Sequence, residues 1–324
     1  MNIIWSCLLL IGGLIVLWKS ADLLVAGAVG LAWRLGVSPL IVGLTIVAMG
    51  TSAPEVAASI VAAIRGAGDI AVGNVYGSNI ANLALVGGLA ALIRPISIQK
   101  RTLRREIPAM LVAALLLWPV LRNLYLSRPE GAALLVVFVV LILLTVYAAK
   151  REATGIKVEV ESVERDTRYE TRNTKNGFVF IVVGLAGLAV GAEMTVQSAV
   201  YIGKQIGLSG AVIGLTIIAV GTSLPELATC IVAAIKAQHD ISIGNLVGSN
   251  IFNTLLVTGT AGTIRPFEIG SRLAGGSDYL IMVGVSATFA ALAVLGRRVI
   301  GRIAGSILLC TYIAYMIYLF AFSR

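Results

Sequence analysis

A chain of 324 residues that is 58% hydrophobic and only 13% charged does not have the composition of a soluble domain, and it reads as a polytopic membrane protein. The net charge of +9 would suggest nucleic acid in a soluble protein. Here the basic residues flank apolar runs, so membrane topology accounts for them and no nucleic-acid partner is expected.

A membrane-crossing helix needs about 20 apolar residues. In chain order the predicted spans are 3–31, 39–65, 70–93, 107–121, 130–149, 177–202, 211–237, 241–264, 278–296 and 303–322. The first run is too long and too lightly charged at its start for a cleaved signal peptide, so it is read as a span. Cys7, Cys230 and Cys310 fall in apolar runs and read as buried thiols, with neither a disulfide framework nor metal-ligand spacing. The lone His239 lies in a short polar connection, which argues against a histidine-based metal site or triad. The expected fold is an all-α integral membrane protein with a first five-helix unit at 1–149, a cytoplasmic linker at 150–176 and a second unit at 177–324. The linker mixes basic residues with Glu152, Glu159, Glu161, Glu164, Asp166 and Glu170. It lacks an apolar core pattern and EF-hand spacing, so it reads as a solvated connection.

The two units are copies. GLTIVAMGTSAPE at 43–55 returns as GLTIIAVGTSLPE at 214–226, and DIAVGNVYGSNIAN at 69–82 returns as DISIGNLVGSNIFN at 240–253, both offset by 171 residues. Ile93-Arg94-Pro95 recurs as Ile264-Arg265-Pro266 at the same offset. Five spans per copy is an odd number, so the second copy must enter the membrane from the opposite side as an inverted repeat. Lysine and arginine distribution sets the orientation. Arg34, Arg94, Lys100, Arg101, Arg104, Arg105, the basic residues between Lys150 and Lys175, Lys236, Arg297, Arg298 and Arg302 would lie on one side. Arg65, Arg122, Arg128, Lys204, Arg265, Arg272 and Arg324 would lie on the other. The richer side is cytoplasmic, which puts both termini outside and the central linker inside.

The repeated segments are polar islands inside apolar runs. Pro54 lacks an amide hydrogen and Gly50 is a poor helix former, so the second span is expected to break there and free backbone carbonyls. Free carbonyls at membrane depth need a cavity, an ion or a neighbouring protein group to receive them. Thr51, Ser52 and Glu55 add hydroxyl and carboxylate oxygens, the donors that hard cations such as Ca²⁺ and Na⁺ prefer. Thr222, Ser223 and Glu226 supply the same set from the second copy. Ser78 and Asn82 are four residues apart and share a helix face, as do Ser249 and Asn253. Gly73 with Gly77, and Gly244 with Gly248, have the small-xxx-small spacing that lets helices approach. An ionised carboxylate at mid-bilayer costs roughly 2.5–3.5 kcal/mol on insertion scales. Packing does not explain that cost being repeated at matching positions, whereas a shared oxygen site for a cation does. Asp22, three residues after Lys19, and Glu193 also correspond; each reads as a member of a structural ion pair or a helix-end charge, with an ion-access role as the alternative. Asp69 and Asp240 open the third and eighth spans as N-terminal caps.

GTSAPE with GNVYGSNIAN, and GTSLPE with GNLVGSNIFN, resemble the two α-repeats of the sodium/calcium exchanger family, within the wider cation/Ca²⁺ exchanger superfamily. The resemblance covers both repeats and suits a compact bacterial member. It implies secondary active antiport of Ca²⁺ against Na⁺ by alternating access, with no enzyme activity, no cofactor beyond the transported ions, and a monomeric transport unit in the inner membrane. It implies a central diamond of ligands at Glu55, Glu226, Asn82 and Asn253. Family hydroxyl ligands map onto Thr51, Ser52, Thr222, Ser223, Ser78 and Ser249, and family carbonyl ligands of the outer sodium sites map onto Ala48 and Ala219. Some prokaryotic relatives carry aspartate where this chain has Asn253, so a Ca²⁺/H⁺ antiporter using the same glutamates is the nearest alternative. A cation channel suits broken helices in an inverted repeat less well. Gly66-Ala67-Gly68-Asp69 matches the bare pattern of intramembrane aspartyl proteases, but its counterpart reads Ala237-Gln238-His239-Asp240, and no nucleophile elbow or phosphate-binding loop occurs.

Overall fold

The computed structural model describes residues 3–156, 176–207 and 219–322, and these are almost entirely helical. The first half contains α1 (Ile3–Leu35), α2 (Pro39–Thr51), α3 (Ala53–Ile64), α4 (Gly68–Ile93), the short α5 (Lys100–Arg104), α6 (Glu106–Leu121) and α7 (Arg128–Ile156). The second half contains α8 (Gly177–Gln205), α9 (Ala219–Thr222), α10 (Leu224–Ile235), α11 (His239–Ile264), α12 (Ser277–Leu295) and α13 (Arg302–Phe322). Among the described residues seven helices are long and apolar enough to cross a membrane, and the bent pair α2–α3 makes eight when taken as one span. Helices α6, with 16 residues, and α10, with 12, are shorter. Residues 211–218, the start of the predicted seventh span, lie outside the described residues, as do 157–175 of the predicted linker. Helix α7 runs on to Ile156, past the predicted span end at residue 149.

The break expected from Gly50 and Pro54 is present. Helices α2 and α3 meet at 44° across Ser52, whose φ/ψ of −80°/5° is not helical. Ser223 holds φ/ψ of −90°/6° between α9 and α10. Each new helix accepts its proline because first-turn amides have no intrahelical acceptor. Among the described residues there are three wide π-helical turns that carry no signal in the sequence: Gly43–Val47 in α2, Ala81–Val86 in α4 and Phe252–Val257 in α11. Each displaces the following side chains around the helix axis, and such turns cluster at functional sites.

Helices α4 and α11 form the centre, with 72% and 94% of their apolar stretches buried, while α7 at 11% and α13 at 17% line the outside. Helix α1 packs along α8 over a smaller apolar cluster that includes Leu24, Ile181 and Leu188. Cys230 is buried as expected, but Cys7 and Cys310 are exposed on α1 and α13. The reason is that outward faces of spanning helices are as apolar as the core, so an apolar run does not imply burial.

The halves are joined at two reciprocal clasps. Strand β1 (Ile96–Ser97) pairs antiparallel with β4 (Val299–Ile300), and β2 (Tyr125–Leu126) pairs with β3 (Phe267–Glu268). Beside the first, Arg94 donates to the Ile235 carbonyl at 3.3 Å, and Gln99 donates to Asp240 at 2.7 Å. Beside the second, Arg265 donates to the Ile64 carbonyl, and the Gly270 amide donates to Asp69 at 2.6 Å. The repeated Ile-Arg-Pro segments thus tie the end of each central helix to the start of the other, so α4 and α11 lie antiparallel. Asp69 and Asp240, expected from sequence to cap these helices, do not cap them. The cap positions are Ala67 and Gln238, without side-chain cap bonds, and the two carboxylates are taken up by donors from the opposite half.

Helix α11 crosses α2 at close range. A Cβ at Gly244 would lie 2.8 Å from the Leu40 carbonyl oxygen, and one at Gly248 would lie 2.7 Å from that of Leu44. The obstacle in each case is backbone, which cannot rotate away. We therefore expect Gly244→Val to destabilise the protein by about 1–3 kcal/mol. Gly284→Val, at an exposed position with no neighbour within 4 Å among the described residues, should be neutral. Thermal unfolding of the detergent-purified proteins checks both.

Candidate cation site

Breaking the second span at Ser52 starts a fresh helix whose first turn carries Glu55, and α10 does the same for Glu226. Each carboxylate therefore sits at the positive end of a helix dipole, which favours its ionised form. Both side chains are fully buried. Helix α3 packs on the π-helical turn carrying Asn253, and α10 packs on the turn carrying Asn82. Each glutamate helix thus packs on the asparagine-bearing turn of the other half.

Direct contacts show how far these residues converge. The Ser52 hydroxyl donates to Glu226 Oε1 at 3.2 Å across the two halves. Glu55 and Glu226 lie close enough to feel each other's charge, with Ser78 against Glu55 and Thr51 against Glu226. Ser249 is buried on the Asn253 helix. The Ala48 carbonyl accepts from the Ser52 amide at 3.0 Å and from Thr51 Oγ1 at 3.3 Å. Ala219 opens α9 and Thr222 closes it, ahead of the Ser223 break.

The cluster leaves many polar atoms unanswered. Neither Glu55 oxygen, nor Glu226 Oε2, nor either amide atom of Asn82 or Asn253, nor the hydroxyls of Ser223 and Ser249 has a well-formed hydrogen bond among the described residues. None of the ion pairs among those residues includes either glutamate. Buried polar groups are normally paired, and an unpaired buried charge costs several kcal/mol. Hard oxygen donors gathered without protein partners fit a cation as the missing partner. Among the described residues no group of three or more His, Cys, Asp or Glu gathers as a metal site, so a cation here would rest on two carboxylates with amide, hydroxyl and carbonyl oxygens.

Two further residues belong to this cluster. Asn74 donates to the Glu55 main-chain carbonyl at 3.2 Å and to Ser59 Oγ at 3.0 Å. Its counterpart Asn245 accepts from Thr51 Oγ1 at 3.1 Å and donates to Cys230 Sγ at 3.4 Å. Both were visible in the repeat as the residue after Gly73 and Gly244, but glycine spacing alone drew attention there. Asp22 and Glu193 stand apart from the cluster. Asp22 pairs with Lys236 rather than with Lys19, and Glu193 accepts from Gln197. A cavity of about 400 Å³ lined by Leu44, Arg105, Glu106, Thr145, Gly248 and Phe252 passes beside the cluster, and none of the oxygen donors above lines it.

Residues 5–147 and again 176–321 match the family model described as sodium/calcium exchanger protein. The chain is 42% identical over 310 residues to CaxA of Alkalimonas amylolytica, with 95% of this chain and 97% of that one covered. It is 39% identical over 316 residues to the inner membrane protein YrbG of Escherichia coli (strain K12), with 96% of each covered. Among solved structures it is similar to the sodium-calcium exchanger NCX_Mj soaked with zero Na⁺ and Ca²⁺. The TM-score is 0.83 at 28% identity, over 98% of this chain and 100% of that one.

The orphaned charges predict opposite effects with and without ions. In ion-free buffer Glu55→Gln/Glu226→Gln should unfold at a higher temperature than the parent, because two adjacent buried carboxyl groups without a counter-charge are gone. Calcium at 100 times its dissociation constant should stabilise the parent by about 2.7 kcal/mol and leave the double variant unmoved. Thermal melts with and without Ca²⁺ measure both.

Proposed function

We propose a function from one premise: the chain belongs to the sodium/calcium exchanger protein family. Its fold is the all-helical membrane fold shared with NCX_Mj. We infer that it is a secondary active antiporter that exports Ca²⁺ in exchange for Na⁺ by alternating access. The observation that carries this reading is the buried cluster of unpartnered oxygens on Glu55, Glu226, Asn82 and Asn253, drawn from both halves.

In this reading Glu55 and Glu226 are the shared charge centre, and Asn82 and Asn253 complete it through side-chain carbonyl oxygens. Ser52, Ser78, Thr51, Thr222, Ser223 and Ser249 contribute hydroxyls, and Ala48 and Ala219 contribute carbonyls to flanking sodium sites. Two carboxylates neutralise one Ca²⁺, whereas several Na⁺ must share the same oxygens. The carrier then holds Ca²⁺ or a set of Na⁺ but not both, and coupled exchange follows from that competition. With three Na⁺ per Ca²⁺, each cycle moves one net charge, worth about 2.3 kcal/mol per 100 mV. An inward-negative potential then assists Ca²⁺ export.

The architecture we propose is ten spans in two inverted five-helix units, 1–149 and 177–324, joined by a cytoplasmic linker at 150–176. The reciprocal clasps, the antiparallel central helices and the double match of the family model support it. The proposed location is the inner membrane with both termini outside, in line with the basic-residue asymmetry and with a full-length relative described as an inner membrane protein.

The experiment is ⁴⁵Ca²⁺ uptake into proteoliposomes preloaded with Na⁺, beside K⁺-loaded and pH-gradient controls. Uptake only with the Na⁺ gradient supports the reading, and uptake with a pH gradient alone moves the protein to Ca²⁺/H⁺ exchange. Glu55→Gln and Glu226→Gln should each reduce uptake to background while the protein remains folded in the membrane. Asn253→Asp should shift the Na⁺ or pH dependence, and an unchanged profile would place residue 253 outside the site.

A further inference from the structure

A hydroxyl that serves as a cation ligand must send its proton away from the cation, so that a lone pair is left to face it. Thr51 has one such proton and three neighbours able to accept it. One is the Ala48 carbonyl of its own helix at 3.3 Å, another is Asn245 Oδ1 of the opposite half at 3.1 Å, and the third is the Glu226 carboxylate beside it. A cation drawing on Glu226 leaves the first two. A proton sent to Ala48 occupies a carbonyl that already receives the Ser52 amide at 3.0 Å, and a carbonyl has two lone pairs. A proton sent to Asn245 leaves one lone pair on Ala48 and a lone pair on Thr51 for the ion.

Asn245 is held for this task. It is fully buried, and its Nδ2 donates to Cys230 Sγ at 3.4 Å. The Cys230 thiol donates in turn to the Ser242 carbonyl at 3.6 Å. The donors form one directional chain, Thr51 to Asn245 to Cys230 to the Ser242 carbonyl. In this chain of bonds the amide oxygen of Asn245 faces Thr51. In the first half the matching asparagine, Asn74, ends on the hydroxyl of Ser59, which donates to the Ala71 carbonyl at 3.1 Å. Residue 230 is therefore a thiol where its counterpart is a hydroxyl, and a thiol is the weaker hydrogen-bonding group.

We propose that Asn245 is a positioning residue for cation selectivity. By taking the Thr51 proton it presents Thr51 Oγ1 and the Ala48 carbonyl to Na⁺, and Cys230 orients its amide. This deepens the proposed exchange and rests on Thr51 and Ala48 being sodium ligands.

The test is a double-mutant cycle in proteoliposomes, reading the half-saturating Na⁺ and Ca²⁺ concentrations separately from the maximal rate. Thr51→Val removes the hydroxyl and keeps the shape. Asn245→Leu removes the acceptor, and Asn245→Ala does so without adding apolar bulk if the first is not recovered. Losing one hydrogen bond's worth of positioning should raise the half-saturating Na⁺ concentration about threefold to tenfold in either Asn245 variant. The Ca²⁺ value and the maximal rate should move less than twofold. In the Thr51→Val background the same Asn245 change should add less than twofold, since residues acting as one unit are not additive. Equal shifts in both backgrounds, or a fall in maximal rate alone, would show a merely structural asparagine and overturn the proposal. Unaltered Na⁺ dependence in Thr51→Val would instead remove Thr51 from the site, and the inference would fall with that assignment. Impaired Thr51→Val beside normal Asn245→Leu and Asn245→Ala overturns the inference alone.

Discussion

Glu55 and Glu226 are buried completely in the centre of the protein, and among the described residues no lysine or arginine forms an ion pair with either. A folded chain tolerates that cost only if something else supplies the positive charge for part of its working life. Most of the architecture can be understood as the means of holding those two groups together. The second span and its copy break so that each glutamate occupies a helix start, where the dipole favours its charge. The central helices widen into π-helical turns at Asn82 and Asn253, and the glutamate helix of the opposite half packs on each turn. The clasps at Arg94 and Arg265 hold the far end of each glutamate helix to the other half.

The candidate site draws its oxygen donors from both halves. The Ser52–Glu226 and Thr51–Asn245 contacts both cross between them. A motion that shifts one half against the other changes the site directly, which is what an alternating-access carrier requires. One asymmetry lies beside Asn74 and Asn245, where Ser59 is replaced by Cys230 and Ala71 by Ser242.

Much of this was legible in the sequence because duplication makes chemistry conspicuous. One proline beside a glutamate in an apolar run is ambiguous, while two at a fixed offset point to a site. The break at Ser52 followed from Gly50 and Pro54, and close packing at Gly244 and Gly248 followed from their spacing, whereas the same spacing at Gly73 and Gly77 meets nothing within 4 Å among the described residues. The π-helical turns were not legible, since Ala81–Val86 and Phe252–Val257 contain residues that suit an ordinary α-helix equally well. Nor were the roles of Asp69 and Asp240, because first-turn acids suit capping and a bridge to the other half alike, and only tertiary geometry separates the two. Asn74 and Asn245 were in plain sight within the repeat, but what an amide touches depends on the crossing helix. Cys7 and Cys310 show the limit of hydropathy, which cannot tell a lipid-facing surface from a core.

The central claim is that one set of oxygens, shared by the two halves, receives either cation. The most direct test is equilibrium ⁴⁵Ca²⁺ binding to the detergent-purified protein over a range of Na⁺ concentrations. The account predicts a single Ca²⁺ per chain, displaced competitively and completely by Na⁺. Ca²⁺ binding that persists at saturating Na⁺, with both ions held together, would contradict it.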